Sequence, residues 1–235
     1  MAGPVYVSTY EEPPFRTEEI LRYAGAGGAD QEDILRLERE CTDTVKGKLS
    51  YRVCWLEVPV LFDGKDIDLG FMRTDYVSLR RHLADCERAV LFAATVGIEM
   101  DRFIARSGAV SPARALMLQA IGAERIESLC DRFCEDVSCR AEANGQHIRS
   151  RFSPGYGDLP IEIQRDIFRV LDCPRKIGLT LNDSLIMSPS KSVTAIIGIS
   201  KNGPGTDSVS AHSSGCTACA KADCPYRKEL SHENQ

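Results

Sequence analysis

Several things are missing from this sequence, and each absence removes a class of function. No apolar run approaches the roughly 20 residues that a membrane-spanning helix needs, so no membrane partner is expected. There is no basic excess: 34 Asp and Glu against 29 Lys and Arg leave a net charge of −5, the wrong sign for a nucleic-acid partner. The opening residues, "MAGPVYVSTYEEPPF", have neither the basic start nor the apolar centre of a secretory signal, so a cytoplasmic location is expected. No internal repeat is visible.

Cysteine, by contrast, is plentiful. A disulfide framework is not expected for ten cysteines in a 235-residue chain with no export signal. Seven of them (Cys41, Cys54, Cys86, Cys130, Cys134, Cys139 and Cys173) are scattered, several at apolar positions of patterned segments, and read as small core hydrophobes. The other three are clustered near the end of the chain.

The hydrophobic pattern predicts one mixed α/β domain. Residues 1–16 form an N-terminal arm, 17–200 the body, and 201–235 a Gly/Ser-rich linker with a cysteine-containing tail. Ile34, Leu37, Cys41 and Val45 recur at helical spacing over 30–47, and the carboxylates between them form a solvated face. Val53, Trp55, Val58 and Val60 lead to an Asp-Gly turn and a second short strand. A helix over 76–87, a buried strand "AVLFAAT" and a short helix over 97–106 follow.

The longest periodic segment covers about 112–140, with Pro112 at a favoured first-turn position. Its stripe is Ala115, Leu118, Gly122, Ile126, Leu129, Phe133 and Val137, and Gly122 offers a place for another backbone to come close. Glu127 lies on the shoulder of this stripe, where a half-buried carboxylate needs a partner or a ligand. A helix over 160–171 and a β-branched strand, "SVTAIIGI", complete the body.

One loop is chemically unusual. In "RFSPGYGDLP" (151–160), Pro154 pushes Ser153 to extended backbone and Gly155 permits a tight bend, so Arg151 and Tyr156 project from a stiff loop. Such a loop suits a small ligand bearing a carboxylate, gripped by the guanidinium and covered by the phenol. It equally suits a surface turn with an incidental arginine. His82 and His147 occupy polar or helix-flanking contexts and carry no catalytic expectation.

That loop, followed by a helix and "GLTLNDSLIMSPSKSVTAIIG", resembles the activation domain of cobalamin-dependent methionine synthase in its stand-alone, single-domain form; "LFAATVG" and "IGAERIESL" upstream also fit. The resemblance covers roughly residues 20 to 200. It implies a long central helix packed on a twisted, mainly antiparallel sheet. It also implies binding of S-adenosylmethionine (SAM), presented to a corrinoid that has decayed to cob(II)alamin. The corrinoid sits on a partner methionine synthase or methyltransferase subunit, because this chain has no D-x-H-x-x-G. An electron donor such as flavodoxin or ferredoxin completes the system.

The family's arginine falls on Arg151, as partner of the SAM carboxylate. Its small residue two positions on, which turns its backbone to the adenine, falls on Ser153; its tyrosine, beside the methionine moiety, falls on Tyr156. Its helix glutamate, near the ligand's amino group, falls on Glu127. Two departures stand out. Gly157, Asp158 and Leu159 follow the tyrosine where the multidomain enzymes continue "PACP", and no counterpart is evident for the family's acidic SAM contact near the N-terminus.

The tail, "AHSSGCTACAKADCPYRKEL", spaces Cys216, Cys219 and Cys224 as C-x2-C-x4-C. Three thiolates so close suit zinc or an iron–sulfur cluster, with His212 or Cys173 as candidate fourth ligand, or they are free thiols. Two functions stay open on the sequence. One is a SAM-binding activation component, inactive as a methyltransferase without its partner; the other is a non-catalytic interaction or metal-sensing module with the same fold.

Overall fold

The structure is a computed structural model that describes residues 3–26 and 31–201. In chain order the elements are strand β1 (Tyr6–Tyr10), helices α1 (Thr17–Ala24) and α2 (Gln31–Val45), and strands β2 (Tyr51–Pro59), β3 (Leu61–Asp63), β4 (Asp66–Asp68) and β5 (Arg73–Thr74). Then come α3 (Val77–His82), β6 (Cys86–Thr95), α4 (Ile98–Gly108), α5 (Pro112–Glu142) and β7 (His147–Phe152). Helices α6 (Gln164–Leu171) and α7 (Cys173–Ile177), with strands β8 (Thr180–Leu181), β9 (Met187–Ser188) and β10 (Ser192–Ser200), finish the fold.

Five strands form one sheet in the order β1-β2-β6-β10-β7, every neighbouring pair antiparallel. Helices cover both faces. Helices α1, α2, α4 and α5 pack on one, α3, α6 and α7 on the other, which is why β6 is buried along nearly its whole length rather than in alternation. Two rows of the register place the functional loop. Glu57, Val90, Ile197 and Arg151 stand side by side across β2, β6, β10 and β7, and Val90 and Ile197 belong to the α5-side core. The next row, Leu56, Leu91, Ile196 and Phe152, belongs to the opposite core. Strand alternation therefore turns Arg151 towards α5 and Phe152 away from it.

Helix α5 spans 31 residues, about 46 Å at 1.5 Å per residue. Ser111 caps it by accepting the Arg114 N–H, with Pro112 just inside. The predicted stripe from Leu118 to Val137 is buried, but the middle of the helix is buried on more sides than that stripe: Glu124, Arg125 and Ser128 are also enclosed. The close approach at Gly122 is made by side chains, not backbone. A Cβ there would stand 2.8 Å from the Lys191 stem and 3.0 Å from Met100.

Other sequence expectations need adjustment. The Asp-Gly turn joins β3 to β4, whereas β2 pairs with β1 and β6. The helix expected over 76–87 stops at His82, because Cys86 already starts β6. Residues 6–10 of the expected arm form the edge strand. Six of the scattered cysteines are buried, but Cys139 is exposed. Glu38, read as part of a solvated face, is 3% exposed and accepts the Thr42 hydroxyl at 2.9 Å. No helix among the described residues is long and apolar enough to cross a membrane.

Candidate functional site

Carboxylates at 124, 127, 131 and 135 recur at three- and four-residue steps, so α5 presents them along one side. Arg151, turned to that side by its place on β7, meets two of them: its Nη2 lies 3.0 Å from Glu127 Oε2 and 2.9 Å from Asp131 Oδ1. Asp131, 11% exposed at the side chain, also takes Arg16 through its other oxygen at 3.0 Å. Arg16 in turn reaches Glu124 with Nε at 3.2 Å.

Beneath this lies a buried pair. The Glu124 and Arg125 side chains are both fully enclosed and bonded at 2.6 and 2.7 Å. Ser128 adds its hydroxyl to Glu124 at 2.5 Å. Arg125 also donates to the carbonyls of Pro13 and Pro14 and lies 3.9 Å from the centre of the Phe15 ring. Two prolines in succession leave carbonyls without neighbouring amides to compete for them, and the guanidinium's planar fork satisfies both. The segment from Pro13 to Arg16 is thereby pinned along α5.

Between that segment and α5 runs a cleft of about 690 Å³, inside the range of small-molecule sites. Its charged lining is Glu11, Glu12, Asp131, Glu135 and Asp136 against Arg16 and Arg132. Five carboxylates and two guanidiniums give the cleft a net negative lining. Tyr10 donates to Asp136 at 2.8 Å, and burial followed by that carboxylate pushes its phenol pKa up. Behind Arg151, burial pushes the Cys134 thiol up to about 12 and Cys130 well above its ordinary range.

The structure brings Arg151 and Glu127 together and separates Tyr156 from them. Tyr156 is 64% exposed, its ring 6.3 Å from that of Phe152, which stacks on His82 at 4.9 Å on the other side of the sheet. The Ser153 carbonyl is engaged by the Tyr156 N–H at 3.2 Å, closing the turn. His147 is exposed, and His82 Nε2 lies 2.8 Å from the Ser150 carbonyl. The residues after the tyrosine have a structural use: Gly157, at φ 56°, lets the loop pass where a Cβ would collide with Ser78 Oγ. Asp158 then accepts the Val77 and Ser78 N–H groups at 2.7 and 2.9 Å, capping α3 from a distance in sequence.

Those amides hold the Asp158 carboxyl below its ordinary range, the Ser78 bond being the larger cause. A carboxylate depressed in the folded state stabilises above its unfolded pKa of about 3.9 and loses that contribution as pH falls through the folded value. Asp158→Asn is therefore expected to lower stability at about pH 6, with the gap to the parent narrowing towards about pH 2. Urea unfolding at a series of pH values measures it.

Sequence reasoning missed Arg16, Glu124, Arg125, Ser128 and Asp131. The only signal for them was the 124-127-131-135 carboxylate spacing, since pairing with residues over 100 positions away leaves no local trace. Cys216, Cys219, Cys224 and His212 lie outside the described residues. Cys173, weighed as a ligand from the body, is fully buried with Sγ 3.9 Å from Cys54 Sγ. Among the described residues no group of three or more His, Cys, Asp or Glu is placed to hold a metal.

No family model and no curated protein sequence matches the chain. Among solved structures, the MetH reactivation domain bound to AdoHcy superposes with a TM-score of 0.58 at 16% identity. The match covers 86% of this chain and 80% of that one. At that identity the likeness is one of architecture, and on it this chain has the fold of the MetH reactivation domain.

Proposed function

We propose that this chain binds SAM in the cleft between the Pro13–Arg16 segment and α5. In this reading it serves as the activation component of a split cobalamin-dependent methionine synthase, or of a related corrinoid methyltransferase. The observation that carries the reading is the charge order of the cleft: a carboxylate-rich lining with Arg16 held at Asp131, which Arg151 supports from outside the cleft, on a fold shared with a domain solved with AdoHcy. SAM carries a sulfonium, an ammonium and a carboxylate. Glu11, for which no ion pair or hydrogen bond occurs among the described residues, is available to the cationic end, and is an acidic group from the N-terminal segment that the sequence motifs did not supply.

The corrinoid would arrive on the partner subunit and supply the nucleophile that takes the methyl group. What remains for the residues of this chain is to hold the sulfonium and keep water from it, with no proton to move. Ser153 and Tyr156, expected at the ligand from the resemblance, do not line this cleft, and Tyr156 lies beside Phe152 on the other side of the sheet.

Calorimetric titration tests the reading. SAM is expected to bind with a Kd on the order of micromolar, and Arg151→Ala to lose about 2–4 kcal/mol of that. No heat at millimolar SAM would turn the assignment to a non-catalytic docking module. For the tail we propose a soft metal site at Cys216, Cys219 and Cys224. Visible absorption of anaerobically purified protein that bleaches with dithionite identifies an iron–sulfur cluster, a colourless protein with stoichiometric zinc identifies a structural site, and metal-free protein overturns it.

A further inference from the structure

We infer that the free edge of strand β1 pairs antiparallel with β1 of a second copy of this chain, joining the two sheets across a twofold axis. The inference is independent of the SAM reading.

The sheet has two edges, and only one is protected. At the far end, β7 carries His147, Arg149 and Arg151 within six residues, and its register with β10 shifts between Ile197 and Ile199. Cations and bulges are how edge strands avoid pairing with other chains. Strand β1, "YVSTY", has no charge, no proline and no shift of register against β2. Tyr6 and Val7 are 49% and 43% exposed. Residues 6–10 make no backbone hydrogen bond outside the β2 ladder among the described residues. Along the outer side of β1, alternate N–H and C=O groups are therefore open to another strand.

The order of residues within β1 indicates which strand fits there. Read backwards, "YVSTY" becomes "YTSVY". Laid antiparallel on a copy with Ser8 opposite Ser8, it sets Tyr6 against Tyr10 and Val7 against Thr9. Aromatic, β-branched and hydroxyl pairs of this kind are favourable across antiparallel strands. A self-complementary patch is what a twofold dimer requires.

The charges beside the strand follow the same order. At the Tyr6 end, Tyr6 stacks on Trp55, and the Arg140 guanidinium lies 4.5 Å from the centre of the Trp55 ring. Arg140 is exposed and has no ion pair among the described residues. At the Tyr10 end stand Glu11, Glu12 and Asp136. The twofold axis brings the cationic end of one copy against the acidic end of the other. Thr9, Tyr10 and Glu11 also line the cleft, so the second copy borders its mouth.

The test uses the full chain. Sedimentation equilibrium is expected to give twice the chain mass at about 100 μM. Hydrogen exchange of the amides of residues 6–10 should slow as the protein concentration rises. Val7→Lys with Thr9→Lys, at exposed positions of β1, is expected to weaken association roughly tenfold or more. Arg140→Glu should also weaken it, and Arg140→Glu combined with Glu11→Lys should recover much of the loss, because both ends are then reversed together. Thermal unfolding of each variant, measured on dilute protein, separates a lost interface from a lost fold.

A single chain at every concentration overturns the proposal. So does a dimer that the lysine pair leaves unchanged, which would be joined through another surface. A single chain whose β1 amides are all protected at every concentration overturns it as well, and would mean that the chain's own residues 202–235 cover the edge.

Discussion

Replacing Arg125 by alanine is expected to destabilise the fold by about 3–5 kcal/mol, the range for removing one partner of a buried ion pair. The Glu124 carboxylate, with no exposed surface, would lose two charge-assisted bonds, and the carbonyls of Pro13 and Pro14 would lose their donor. The Phe15 ring would lose the cation packed against it. Arg125→Lys should recover little, since a point charge cannot serve two carbonyls and a carboxylate in one plane. The double variant Glu124→Gln with Arg125→Met should be less destabilised than Arg125→Ala, because it removes the uncompensated charge. Urea unfolding with the midpoint read by circular dichroism measures all three. A loss below about 1 kcal/mol for Arg125→Ala would mean that the enclosed pair is not what anchors the N-terminal segment.

The second large effect concerns Asp131. Its two oxygens separate Arg16 from Arg151. Asp131→Asn leaves two guanidiniums facing a neutral amide, and is expected to cost about 2–4 kcal/mol of stability and to weaken SAM by roughly tenfold or more. Much of the stability loss should return in the double variant Asp131→Asn with Arg151→Gln, which removes one of the opposed cations. SAM affinity should not return with it, because the Asp131 carboxylate, which lines the cleft, is gone in both proteins. Parallel unfolding and calorimetry on the two variants separate these effects. Equal recovery of stability and affinity would mean that Asp131 contributes only to folding.

Much of the framework was legible before any coordinates. The period of α5, its Ser111-Pro112 start and the β-branched runs of β6 and β10 are local signals, set by side-chain period and backbone sterics. The "RFSPGY" stretch likewise announced a stiff bend, and its resemblance to a reactivation-type domain agrees with the observed fold. The order of strands was not readable, since antiparallel neighbours such as β10 and β7 are chosen by which faces can be buried together.

The candidate site divides along the same line. Arg151 and Glu127 were singled out because an arginine on a rigid loop and a carboxylate beside an apolar stripe are each anomalous on their own. Arg16, Glu124, Arg125 and Asp131 carry no such local mark and were passed over, and Glu38 read as part of a solvated face; their burial depends on segments distant in sequence. By itself the sequence determined most of the helices and long strands, the stiff loop and the apolar stripe of α5, because those follow from interactions between near neighbours along the chain. Only the tertiary structure decided which charges face one another, because an ion pair's worth depends on distance and desolvation, and both are created when β7 and the N-terminal segment close on α5.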